Sequence, residues 1–463
     1  MNNQVAQVSK KEWAAAEPMV PAGYKQTEVG VIPEDWEALT IGSVTSWLSG
    51  GTPNRKNSEF WMGSIPWISG STLKSLEIST SDQFLTEQGV DNGSKMAPLD
   101  STLLLVRGSA LHTEIRAGLV IAPVCFNQDV KALVPHSSVN PKYLTIYLLA
   151  MESELLKLVS SAGNSAGVLD TQLVQNFKFF QPPLLEQNAI ANALSDVDAL
   201  IGSLDALIAK KQAIKTATMQ QLLTGRTRLP PFSKTESASQ PDGSSKGYKT
   251  SELGEIPEDW EVIMLGQMAK FMKGAGLPKS DLVEDGCFPC VHYGQLFTTY
   301  GPKISNVISK TNLVGVVRSE DNDVLMPTSD VTPNGLATAS CITEPGVVLG
   351  GDILVIRSRK EILDGTFFSY LITVMREQVM QLVTGSTVYH LYGSDMAKFS
   401  FALPPIEEQT AIATILSDMD EEIQALKARL TKTRDLKQGM MQQLLTGKIR
   451  LIKPLAGDEH HAG

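Results

Sequence analysis

Residues 23–37 read GYKQTEVGVIPEDWE and residues 247–261 read GYKTSELGEIPEDWE, identical at 11 of 15 positions at an offset of 224. Working outward, PPLLEQNAIANALSDVD at 182–198 returns as PPIEEQTAIATILSDMD at 404–420, identical at 11 of 17 positions. MQQLLTGRTRL at 219–229 returns as MQQLLTGKIRL at 441–451, and both later blocks share the offset 222. Short repeats would mean a solenoid; a unit of about 220 residues repeated once means duplicated domains and a pseudo-two-fold molecule.

Each half has two parts. The first, 23–180 and 247–402, is rich in Gly, Pro, Ser and Thr with short apolar bursts. SIPWIS, STLLLVRG, GLVIAPVCF and VKALV in the first copy, and VGVV, DVLM and GDILVIR in the second, read as short strands. One helix is expected near Pro141–Ser160 and its counterpart near Gly365–Val383. Each first part is therefore a mixed α+β domain. The second part, 181–229 and 403–453, is a long helix opened by Pro-Pro. Glu186 and Gln187, or Glu407, Glu408 and Gln409, fill its first turn, where acids suit the helix dipole. Apolar residues then fall at Ile190, Leu194, Val197, Ile201, Leu204 and Ile208, and at Ile412, Leu416, Met419, Ile423, Leu426 and Leu430. Spacings of 4, 3, 4, 3, 4 make a heptad seam. Gly225 and Gly447 stand where a helix ends with a left-handed residue. From Glu186 to Leu223 such a helix spans about 57 Å.

A single amphipathic helix could pack on its own domain. Two helices of equal length and register in a duplicated chain favour each other instead. Acids crowd the first half of each and bases the second, so antiparallel pairing sets unlike charges together. The expected fold class is α+β: two tandem mixed domains separated by two long helices paired as an antiparallel coiled coil. Residues 1–22 form an N-terminal arm, 230–246 a polar linker and 454–463 a tail.

The 463 residues carry 40 Lys+Arg against 50 Asp+Glu, a net charge of −10, which excludes nucleic-acid binding by bulk positive charge. The leading segments 23–37 and 247–261 contribute −3 and −4 of this. The remaining 38–180 and 262–402 carry only −1 and −2, so a local basic face suffices there. Four cysteines make no disulfide framework, and no apolar run is long enough to span a membrane, which points to the cytoplasm.

No catalytic constellation is present. Gln181-Pro-Pro-Leu and Leu403-Pro-Pro-Ile lack the polar and aromatic residues with which adenine methyltransferases hold a flipped base. There is no phosphate-binding GxxxxGK[ST] loop. Pro241-Asp242 has the start of a nuclease cluster but sits in the linker. Cys287-Phe-Pro-Cys290 with His292 has partial zinc spacing. The repeat aligns this stretch with Gly63-Ser-Ile-Pro-Trp-Ile, so the cysteines fill strand positions that hold Ser64 and Trp67 in the other copy.

With Gly-x-Ile/Val-Pro-Glu-Asp-Trp (30–36, 254–260), Pro-Pro-x-x-Glu-Gln (182–187, 404–409) and Gln-Gln-Leu-Leu-Thr-Gly (220–225, 442–447), the chain resembles the specificity subunit of type I restriction–modification systems over about 23–453. Residues 1–22 depart from that pattern. The resemblance implies two target-recognition domains, each reading half of a split sequence in double-stranded DNA, and paired helices that set the unread gap. It implies docking of two methyltransferase subunits and of restriction/translocase subunits. The chain itself would be non-catalytic and bind no cofactor; S-adenosylmethionine, ATP and Mg²⁺ would sit on partners. Base reading needs planar donor or acceptor forks. The loop-rich stretches offer Arg55, Lys56, Lys74, Arg107, His112, Arg116, Asn127 and Gln128, then Lys273, Lys279, Gln295, Lys303, Arg357, Arg359, Tyr389 and His390. Trp36 and Trp260 read as core anchors. Asn127-Gln128-Asp129 and Gly350-Gly351-Asp352 occupy comparable places. A coiled-coil scaffold without sequence-selective DNA binding, or a nuclease with an unrecognised site, remain as alternatives.

Overall fold

The computed structural model describes residues 20–28, 30–160, 166–233 and 247–452. The arm up to residue 19, most of the polar linker and the tail lie outside them. The chain forms two compact units, residues 1–203 with 431–463, and residues 204–430. The boundaries fall inside the two long helices, Leu184–Leu222 and Ile406–Leu444, each of 39 residues, and not in the polar linker. Each unit therefore holds one mixed domain, the leading part of one long helix and the trailing part of the other.

In the first unit a five-stranded sheet runs Thr45–Ser49, Val130–Pro135, Thr102–Leu105, Ala117–Val120, Glu77–Ile78. All neighbours are antiparallel except the last pair. Thr102–Leu105 is central and wholly buried, which is why its apolar run is continuous and not alternating. Helix Pro141–Ala150, capped by Asn140, lays Tyr143, Leu144, Ile146 and Tyr147 into the core. In the second unit the same order returns: Ala269–Lys273, Ile353–Ser358, Asp323–Pro327, Ser340–Ile342, Lys303–Ile304, again with only the last pair parallel. Helix Gly365–Val374, capped by Asp364, matches the first. The single helices expected here are each two, broken at Met151 and Met375. VGVV, expected as a strand, is an exposed loop: Val316 is 91% exposed and Gly315 turns through φ +63.

The repeated motifs meet in one buried joint per unit. In the first unit, the Trp36 indole N–H donates to Glu186 Oε2 at 3.0 Å. Arg450 donates to the same carboxylate at 2.7–3.0 Å, and its remaining edge is bidentate to Asp35. In the second unit, Trp260 donates to Glu408 at 3.0 Å, and Arg228 bridges Glu408 and Asp259. Glu186 and Glu408 are each 1% exposed, and a buried carboxylate persists only when paired. Hydrogen bonding to Glu408 and Glu186 raises the pKa of Arg228 and Arg450 further, against the opposing effect of burial. The helix-dipole role assigned to these glutamates is thus secondary to ion pairing. Asp35 and Asp259 close the joint.

Each helix exit is fitted to this joint. Gly447 has φ +72, and a Cβ on it would lie 2.4 Å from Pro33 Cδ. Gly225 has φ +70, with Pro257 Cδ at 2.6 Å from the same hypothetical atom. Tyr24 and Tyr248 donate their hydroxyls to the carbonyls of these glycines. The next motif residue ties the helix to the sheet domain. Gln187 Oε1 accepts the Asn140 N–H at 2.8 Å, and Gln409 Oε1 accepts the Asp364 N–H at 2.9 Å.

Along the long helices Ile190, Leu194, Leu204, Ile208, Ile412, Leu416, Ile423 and Leu430 are buried, while Val197, Ile201, Met419 and Leu426 are half-buried. In the first unit Lys437 Nζ lies 2.7 Å from Asp198. In the second, Lys215 lies 2.5 Å from Asp420 and Lys211 lies 2.7 Å from Glu422. A base late in one helix meets an acid early in the other in each case. Among the described residues no helix is long and apolar enough to cross a membrane.

Candidate nucleic-acid interface

Strand register aligns the two sheet domains residue by residue although their sequences differ. Leu119 lies opposite Thr102, and Cys341 opposite Val324, next to the matching parallel pairs Leu119–Glu77 and Cys341–Lys303. Counting along the strands equates Val106 with Thr328 and Arg107 with Ser329. The equivalence holds at the next ladder, where Leu169 donates to Val106 O and Leu391 to Thr328 O. It equates Asp129 with Asp352, since Val106 N–H and Thr328 N–H donate to their respective carbonyls. Asn127-Gln128-Asp129 thus stands where Gly350-Gly351-Asp352 stands. Likewise Trp67 and Cys290 are equivalent strand positions, facing Cys125 and Val348. Cys290 is buried and burial pushes its thiol up to about 11, the behaviour of a core residue.

One edge of this frame gathers polar side chains in both domains. Strands Thr45–Ser49 and Ala269–Lys273 end there, each followed by a glycine. A Cβ on Gly50 would meet Phe126 O at 2.2 Å, and on Gly274 would meet Gly350 O at 1.9 Å. In the first domain Lys131 Nζ reaches Ser49 Oγ at 2.5 Å, Thr52 donates to Gln128 at 2.6 Å, and Arg107 stands exposed one strand away. In the second the edge is a groove of 460 Å³ lined by Lys273, Ser329, Asp352, His390 and Tyr392. Ser329 Oγ and His390 Nδ1 are 3.1 Å apart, and the His390 and Tyr392 rings stack at 6.0 Å. Lys273 pairs with Asp352 at 3.3 Å. Thr328 Oγ1 lines the groove, buried and without a hydrogen-bond partner among the described residues.

The remaining candidates scatter, and several are committed to the fold. Arg357 spends its guanidinium on buried Asp323, on Glu320 and on the Arg318 carbonyl, and the bonds to Asp323 raise its pKa. Arg116 is held by Glu114 and the Gly70 carbonyl. Asn127 is buried in a turn with Asp129, and Gln295 bridges the His292 N–H and Ser309. Each of these four is hydrogen-bonded within the fold, which leaves it fewer donors and acceptors for a base. Arg55 lies exposed over Trp61 and Trp67, 4.7 and 5.1 Å from the ring centres. Lys56, Lys74, His112, Lys279, Lys303 and Arg359 are exposed on separate loops and strand ends. Tyr389 is half-buried beside His390 in the edge ribbon. Sequence reading missed Lys131, Ser329 and Tyr392 because only strand register brings them to this edge.

A family model described as the type I restriction modification DNA specificity domain matches residues 33–213 and 257–433. The MjaVIII type I restriction enzyme specificity subunit of Methanocaldococcus jannaschii is 26% identical over 433 residues, 91% of this chain and 94% of the relative. The EcoR124I/EcoR124II specificity subunit of Escherichia coli is 32% identical over 183 residues, 39% of this chain and 44% of the relative. The crystal structure of the type I restriction–modification S subunit from M. genitalium shares the fold, with a TM-score of 0.56 and 14% identity over 88% of this chain and 96% of that one. With two tandem matches covering most of its length, the chain belongs to the type I restriction–modification specificity-subunit family.

Proposed function

We propose that the chain is a non-catalytic reader of a split DNA sequence, one half-site per sheet domain. In this reading the two long helices pair as an antiparallel coiled coil that fixes the unread gap. They dock two methyltransferase subunits, and restriction/translocase subunits join that core. S-adenosylmethionine, ATP and Mg²⁺ belong to those partners. The observation that carries the reading is the constant strand frame with different polar side chains at equivalent edge positions, as two modules reading different half-sites require. The opposite-end ion pairs Lys437–Asp198, Lys215–Asp420 and Lys211–Glu422 support the helix pairing.

The near-neutral sheet domains give little phosphate attraction, so partners supply much of the backbone contact. The isolated chain is expected to bind a random-sequence duplex library weakly, with strong salt dependence and no sequence enrichment. Its complex with the methyltransferase subunits is expected to enrich a split sequence, at about 10³-fold or more over bulk duplex. Enrichment by the chain alone, or none by the complex, contradicts the proposal.

A further inference from the structure

We infer that the matched sheet edge is the base-reading surface of each domain, acting through Arg107, Gln128 and Lys131 in the first and through Lys273, His390 and Tyr392 in the second. The inference rests on the split-site reading above and assigns it to residues. A module that changes its target while keeping its fold must vary side chains on a fixed backbone. Four equivalences fix the backbone here: Gly50 with Gly274, Asp129 with Asp352, Leu169 with Leu391, and the shared strand order. Around them the side chains change in kind. Ser49 becomes Lys273, Arg107 becomes Ser329, Lys131 becomes Leu354, and Val168 becomes His390 by the pairings Val168–Arg107 and His390–Ser329.

The chemistry of the two edges suits different bases. In the first domain the exposed Arg107 offers a bidentate fork for guanine, and the exposed Gln128, its Oε1 accepting from Thr52, keeps an amide hydrogen for a base acceptor. Lys131 adds a positive point charge within reach of phosphate. In the second domain the Ser329 contact holds one His390 ring nitrogen and leaves the other to face a ligand. Tyr392, 54% exposed, gives a flat apolar surface beside it. Asp352 is a hydrogen-bond acceptor that suits the amino group of cytosine. Thr328, where the first domain has Val106, adds to the groove wall a hydroxyl that is buried and has no hydrogen-bond partner among the described residues. Carboxylates on both edges disfavour non-specific phosphate contact, which a sequence reader tolerates and a charge-driven binder does not.

The test is methylome sequencing of hosts expressing the full complex with Arg107→Ala, Lys273→Ala, His390→Gln or Tyr392→Ala, against Lys157→Ala as an exposed control outside the named residues. Arg107→Ala should relax the motif at one or two positions of one half-site. The other half should stay intact. The second-domain variants should alter only the opposite half, and Lys157→Ala neither. An unchanged parental split motif in the edge variants overturns this assignment and leaves the split-site reading standing. Equal weakening of both halves also overturns it, because that is the signature of an assembly defect. A parental complex that methylates no split motif overturns the underlying reading itself.

Discussion

Glu408→Ala is expected to destabilise the second unit by about 3–5 kcal/mol, the cost of leaving one member of a buried ion pair uncompensated. Glu408 is 1% exposed and receives both the Arg228 guanidinium and the Trp260 indole N–H, so truncation strands two buried donors. At roughly 2–4 °C per kcal/mol for a unit of this size, thermal unfolding should shift down by about 10 °C. Glu186→Ala should do the same to the first unit, where Arg450 and Trp36 lose their acceptor. Asp259→Ala is the internal control. Its side chain is 36% exposed and Arg228 keeps Glu408 when it is lost, so its truncation should cost clearly less than that of Glu408. A melting curve for Glu408→Ala within about 1 kcal/mol of the parent would show that the joint does not hold the domain to the helices.

Inserting one heptad into each long helix at matched points is expected to change the unread gap. Seven residues add about 10.5 Å of helix. At about 3.4 Å per base-pair step that is at most three base pairs. The ion pairs Lys211–Glu422 and Lys215–Asp420 set residues 204–208 against 426–430. Insertions between Leu204 and Ile208 and between Leu426 and Leu430 therefore preserve the seam on both sides. Sequencing the methylated sites of the variant should return the same two half-sites with a longer gap, or no methylation where the proposed methyltransferase partners no longer reach their adenines together. An unchanged gap with full methylation would contradict the helices as a ruler.

Much of this architecture was legible in the repeat. Each of its three motifs carries a residue that the joint requires: a tryptophan, a glutamate, a glycine. What escaped was the partner of the glutamate. The arginine three residues past each exit glycine, Arg228 and Arg450, was there to be noticed in both copies. Charge patterning alone placed it among the late bases of the helix. Inside the sheet domains the two copies have drifted so far that side chains no longer report equivalence, while backbone hydrogen bonds still do. Asn127, Arg116, Gln295 and Arg357 read as free forks in sequence, although each is hydrogen-bonded within the fold. Fork-shaped residues serve turns and buried acids as readily as bases, and only their partners decide between the two. The VGVV stretch failed as a strand for a related reason: apolar character without burial carries no structural information, and Val314 and Val316 are both exposed.

The central claim, that this chain splits one DNA sequence between two matched domains, is tested most directly by single-molecule methylome sequencing of a host expressing the chain with its methyltransferase subunits. The account predicts one motif in two short specified blocks separated by a fixed run of unspecified bases, with an adenine methylated on each strand. A continuous motif, or no new methylation, would contradict it.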